Sequence, residues 1–125
     1  MQTGNSFSNE KSPNPEAEII RVLPFDDGFV AFQRGGRAEE VRWSEVERVS
    51  AYKVDCLTYD MIWLAFERRG QREALHIKEE VEGFQNIMSA LSAAFPEINP
   101  EWYFNVMQTA FAENLTVLFE RGAEA

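Results

Sequence analysis

Residues Val41–Cys56, "VRWSEVERVSAYKVDC", decide how the fold is read. Both ends have the β-branched and aromatic character of strands. Between them, Ser44 and Glu47 carry capping-box spacing, in which a hydroxyl and a carboxylate satisfy backbone N–H groups at a helix start. Only Val46 and Val49 follow at helical spacing, and "VSAYKV" resumes strand character. The spacing predicts a single turn at about 44–47 joining two strands, with Trp43 and Val49 anchoring the strand ends in the core.

The flanking sequence supports an antiparallel sheet. Upstream, Asp26-Asp27-Gly28 and Gly35-Gly36 supply two hairpin turns, so the segments around "FVAFQR" form a meander. Downstream, "TYDMIWLAFE" is apolar on both faces, with Tyr59, Met61, Trp63 and Ala65 set against Ile62, Leu64 and Phe66. That pattern predicts a central strand covered on both sides. "RRGQR" then turns the chain into "EALHIK", which alternates Leu75 and Ile77 inward with Ala74, His76 and Lys78 outward.

From Glu79 the period changes. Val81, Phe84, Ile87, Met88, Leu91, Ala94 and Phe95 form one apolar stripe, predicting an amphipathic helix over 79–95 that Pro96 stops. Asn99-Pro100 starts a shorter helix at about 100–110, burying some of Trp102, Tyr103, Val106, Met107 and Ala110. "NLTVLFER" closes the chain as a strand, with Leu115, Val117 and Phe119 alternating against Thr116, Leu118 and Glu120. The fold class is α+β: an antiparallel, strongly bent sheet or barrel of about six or seven strands. Residues 1–16, polar and carrying Pro13 and Pro15, read as a disordered tail, and 17–121 as one domain.

Composition sets the bounds on function. In 125 residues, 45% are apolar and 13% aromatic, enough for one core without metal or disulfide staples. Cys56 is the only cysteine, which removes an intrachain disulfide and a cysteine metal cluster. No run approaches the ~18 apolar residues of a membrane span, and "MQTGNSFSNEKSPNPE" has no leader-like apolar core. The expectation is a cytoplasmic protein with no membrane insertion. The formal charge is −9. Residues 1–78 hold eleven Lys/Arg against thirteen Asp/Glu, whereas residues 79–125 hold only Arg121 against eight Glu. Nucleic acid and anionic membranes are therefore disfavoured, and a basic protein partner fits.

The "V-x-W-x-x-V-x-x-V" pattern of Val41, Trp43, Val46 and Val49, the strand order and the helix stripe together resemble the pleckstrin-homology-like (PH-like) barrels of small bacterial proteins. The likeness covers about Ile19 to Phe95. It implies a helix plugging one end of a bent sheet. This chain departs from that pattern by adding a further helix and strand. It also carries Asp26 and Asp27 where lipid-binding members carry Lys/Arg, so phosphoinositide binding is not implied. Asn114, Phe119, Glu120 and Arg121 are similar to the closing strand of a set of short bacterial proteins, a likeness that implies no activity.

Candidates for chemistry are few. His76, on an outward strand position, needs a partner aimed at it to act as acid or base. Cys56 lacks a nucleophile motif and reads as a small buried hydrophobe near a strand end. Asp55, Tyr59 and Asp60 flank one turn, but no glycine-punctuated twelve-residue cation loop surrounds them. No cofactor or metal is expected. Arg34 and Arg37 flank one hairpin tip, and Arg68, Arg69 and Arg72 another; brought together they would hold a phosphate or carboxylate, and apart they guard sheet edges. Glu79, Glu80, Glu82, Glu97 and Glu101 are candidates for an acidic partner face, or simply for helix-start and solubilising charge.

Taken together these features favour a non-enzymatic protein-interaction module docking through a sheet edge, the acidic half, or both. A toxin-neutralising immunity protein is one version, a regulatory docking protein another, and homodimerisation through a sheet edge is a further use of the same surface. The alternative is a small-ligand binder or enzyme with a pocket between helices and sheet, lined by Trp63, Trp102 and Tyr103.

Overall fold

The computed structural model describes residues 15–108 and 115–122. A 3-10 turn at Pro15–Ala17 leads into β1 (Ile19–Phe25), β2 (Gly28–Gln33) and β3 (Ala38–Arg42). A second 3-10 turn, Trp43–Glu45, passes the chain to β4 (Val46–Asp55), followed by β5 (Asp60–Arg68) and β6 (Leu75–Lys78). Then come α1 (Phe84–Ala94), α2 (Trp102–Gln108) and β7 (Thr116–Glu120). The fold is α+β with two antiparallel sheets, β1-β2-β3 and β6-β5-β4-β7, which do not close into one continuous ladder. The expected disordered tail falls largely on residues 1–14, outside the described residues.

The turn in the opening stretch forms, but not as a capping box. Arg42 occupies the N-cap with no side-chain cap bond, and the Glu47 carboxylate instead accepts from Arg69 Nε at 3.0 Å. What holds the turn comes from the far end of the chain. Arg121 donates from Nε to the Val46 carbonyl at 2.9 Å and from its terminal nitrogen to the Trp43 carbonyl at 3.0 Å. The Val46 carbonyl, and the Trp43 carbonyl that already accepts the Val46 amide, thereby gain charge-assisted partners. The Trp43 ring lies 5.5 Å from Phe29 and 5.7 Å from Phe95, while Val49 is fully buried.

The apolar stripe from Val81 to Phe95 is buried, but the helix is shorter than its 79–95 pattern predicts. Residues 79–82 are taken by the sheets. The Glu79 amide donates to Ile62, and the Glu82 carbonyl accepts from Val22, both at 2.9 Å. Gly83 then turns the chain at φ +91, where an added Cβ would lie 2.1 Å from the Val22 carbonyl oxygen. Only glycine fits both the left-handed backbone and that approach. Phe84, Ile87 and Leu91 form the buried side of α1.

In α2, Trp102 and Val106 are buried, and Tyr103 and Met107 pack at the core margin; Ala110 lies outside the described residues. The closing strand pairs antiparallel with β4 of the same chain, with a bulge between Val49 and Ser50. The bulge shifts which side chains turn inward. Phe119 is buried and stacks on Phe95 at 4.0 Å, whereas Leu115 and Val117 are exposed. The predicted Leu115/Val117/Phe119 face is therefore split.

Candidate functional site

The two faces of β5 part company. Ile62, Leu64 and Phe66 are fully buried in the core, while Met61, Trp63 and Ala65 alternate onto the opposite face. Trp102 and Tyr103 belong to the core side. Among the described residues, Trp63 is thus not brought together with Trp102 and Tyr103. On the outer face, the Trp63 ring stacks on Tyr52 at 6.1 Å, and the Tyr52 hydroxyl shares a 2.9 Å hydrogen bond with His76 Nδ1. Partial desolvation by the packed neighbouring rings holds the His76 pKa below its usual value against the opposing pull of Glu67, and raises that of Tyr52. His76 is outward and exposed as the alternation predicts, and Tyr52 is the partner that strand spacing alone could not supply.

Beside this cluster the two sheets stand apart. Where β6 comes alongside the start of β1, a cavity of about 640 Å³ opens between them, walled by Ile19, Trp63, Ala74 and Leu75, with Glu73 and His76 at its polar margin. Glu18 spans the gap, 3.4 Å from Lys78 and 3.2 Å from Arg34. Those two bonds, that with Arg34 the stronger, hold the Glu18 carboxyl below the usual carboxylate range. β6 is a terminal strand of its sheet. The arrangement is a strand edge that no described strand pairs, next to an apolar hollow, which no single stretch of sequence displays.

Three of the five tip arginines are engaged by carboxylates. Arg34 meets Glu18, Arg68 meets Glu39 at 2.7 Å, and Arg69 meets Glu47 at 3.0 Å. Arg68 is buried and Arg72 lines a shallower hollow beside it. Arg37 is exposed on its own hairpin, its carbonyl accepting from the Gln33 amide.

The candidate acidic face is dispersed. Glu79 is half-buried, accepting the Ile62 amide at 2.8 Å and the Tyr103 hydroxyl at 2.5 Å. The Tyr103 pKa is pushed up to about 12, chiefly by that bond. Glu80, Glu82, Glu97 and Glu101 are exposed, and the Glu101 amide is capped by Asn99 Oδ1.

Cys56 is half-buried in the β4–β5 turn rather than fully buried, its thiol directed at the Val54 carbonyl. His76 shares a cross-strand row with Ala65 and Ser50. Cys56 lies six residues further along β4, about 20 Å at ~3.3 Å per residue. Asp55 accepts the Leu57 amide in an Asx turn, and Asp60 lies 3.7 Å from Lys53. No group of three or more His, Cys, Asp or Glu positioned for a metal occurs among the described residues. No described helix is long and apolar enough to cross a membrane. No family model, curated protein or solved structure matches the chain.

Proposed function

We propose that this chain is a non-enzymatic, cytoplasmic interaction module that docks another protein through the open corner between β1 and β6. The observation that carries this is the unpaired β6 edge beside the apolar cavity. Exposed main-chain donors and acceptors give an incoming chain affinity, and a neighbouring hollow selects its side chains. In this proposal the two sheets are a PH-like barrel left open at one corner. A basic partner suits the chain's charge of −9, and a toxin neutralised as an immunity protein would neutralise it is one such partner. The separation of Cys56 from His76 supports a docking rather than a catalytic role.

The cavity volume favours one competing reading, a small-ligand binder, because ligand pockets commonly fall between ~300 and ~1,000 Å³. Capture from the native host with wild type and with Ala74→Arg, which fills the cavity, tests the two. Docking is supported when a protein retained by wild type is missed by the variant, and the purified pair binds one to one by calorimetry. It is overturned when the variant retains the same protein, or when saturable stabilisation by a small metabolite is the sole binding seen.

A further inference from the structure

Resting on that reading of the open corner, we infer that it takes an extended segment of a basic partner, added as a strand along β6. One large apolar side chain of that segment sits in the cavity, and a lysine or arginine lies beside Glu73 and Glu80. The backbone sets the direction. The Glu79 amide donates to the Ile62 carbonyl at 2.9 Å, and the β5–β6 register runs unbroken from Trp63↔Lys78 to Phe66↔Leu75. In an antiparallel ladder the residues bonded to a given neighbour alternate along the strand. Glu79, Ile77 and Leu75 therefore face β5, and the N–H and C=O groups of His76 and the N–H of Lys78 face the open corner, the Lys78 carbonyl accepting the Val81 amide at 3.0 Å. These are two donors and one acceptor at strand spacing, bordering a hollow walled by Ile19, Trp63 and Leu75.

Charge selects the occupant. Arg34 and Lys78, the cations at the rim, are both held by Glu18. Glu73 lines the cavity, and Glu80 lines the adjoining hollow with Glu18 and Lys78. Neither Glu73 nor Glu80 forms an ion pair among the described residues. Two cations against the three carboxylates Glu18, Glu73 and Glu80 leave the rim net negative, as the whole chain is. A four-residue edge flanked by charge resists indiscriminate pairing, so the incoming strand has to bring the complementary cation.

The probe is an acetylated, amidated peptide, Lys-Val-Lys-Leu-Lys-Val-Lys, titrated into the full chain at moderate salt. Saturable one-to-one binding is expected, with hydrogen exchange at the His76 and Lys78 amides slowed by about tenfold or more. N-methylating alternate peptide nitrogens, or exchanging every lysine for glutamate, is expected to weaken binding by about tenfold or more. His76→Pro removes an outward N–H at an edge position where proline is tolerated and is expected to lose the peptide. His76→Ala, which keeps that N–H, is expected to bind the peptide at least about tenfold more tightly than His76→Pro. Strand addition is overturned by an absence of saturable binding, by equal affinity of the N-methylated peptide, or by unprotected amides at saturation. Protection that grows with protein concentration without peptide would seat a second copy there instead and equally overturn it. A partner captured in an Ala74→Arg-sensitive but His76→Pro-insensitive way would leave docking at this corner standing and remove the strand.

Discussion

The same two sheets meet at two corners, and the corners are built differently. At the first, β3 runs into β4 through Trp43–Glu45, and a chain of rings passes from Phe66 through Phe29, Trp43 and Phe95 to Phe119. Arg121 ties the two bend carbonyls from outside. At the second, a parallel bridge of Arg21 with Glu82 and the Glu18–Lys78 pair join β1 to β6 and the residues after it, and a cavity lies where rings would be. Buried aromatic contact seals a corner, whereas a half-exposed ion pair and a backbone bridge only span one. The closed corner is architecture, and the open one is where the proposed docking falls.

The strongest way to break this contrast is at the closed corner. Phe29 is fully buried, 5.1 Å from Phe66 and 5.5 Å from Trp43. Phe29→Ala is expected to cost about 3–5 kcal/mol in urea unfolding, from lost transfer energy and the cavity left behind. A loss below about 1.5 kcal/mol would mean that the rings do not seal the corner. A smaller effect is expected from the C-terminal tie. Arg121→Ala removes a charge-assisted donor from both bend carbonyls, the Trp43 one keeping the Val46 amide, and should cost about 1–2 kcal/mol. Arg121→Lys should recover only part, because an ammonium cannot span both carbonyls as the planar guanidinium does. Full rescue by lysine would reduce the tie to simple charge.

The closed corner was largely legible in the sequence and the open one was not. Val41, Trp43, Val46 and Val49 state a bend between two strands by local pattern, and the period change after Lys78 announces the helix. Where local patterns misled, longer-range contacts had decided the outcome. Glu47 was drawn to Arg69 rather than to its capping-box position, and 79–82 went to Ile62 and Val22 rather than to helix. The site was less accessible still. Its parts come from the entry to β1, the end of β2, and β5 with β6, so only the packing of the sheets brings Ile19 near Leu75. The outward position of His76 was readable, but its partner Tyr52 stands 24 residues away. Nothing in alternating strands says which of them ends a sheet.

The smallest effect sharpens the comparison most, because it acts on one corner alone. Glu18 has its pKa lowered by Arg34 and then by Lys78. A depressed carboxylate contributes stability that is fully present above its unfolded pKa, near the usual 4.5. That contribution is lost as the pH falls through the lower folded value. Acidification from pH 6 to below that value should therefore loosen the open corner. The readout is hydrogen exchange at His76 and Lys78, corrected for intrinsic rates. Glu18→Gln should show the loosened rates already at pH 6 and little further change on acidification. The Trp43 amide, bonded to the Asp27 carbonyl at 2.8 Å, should be unmoved in both proteins. If Trp43 loosened together with His76, the two corners would open as one cooperative unit, and the division between a sealed corner and a receptive one would fail.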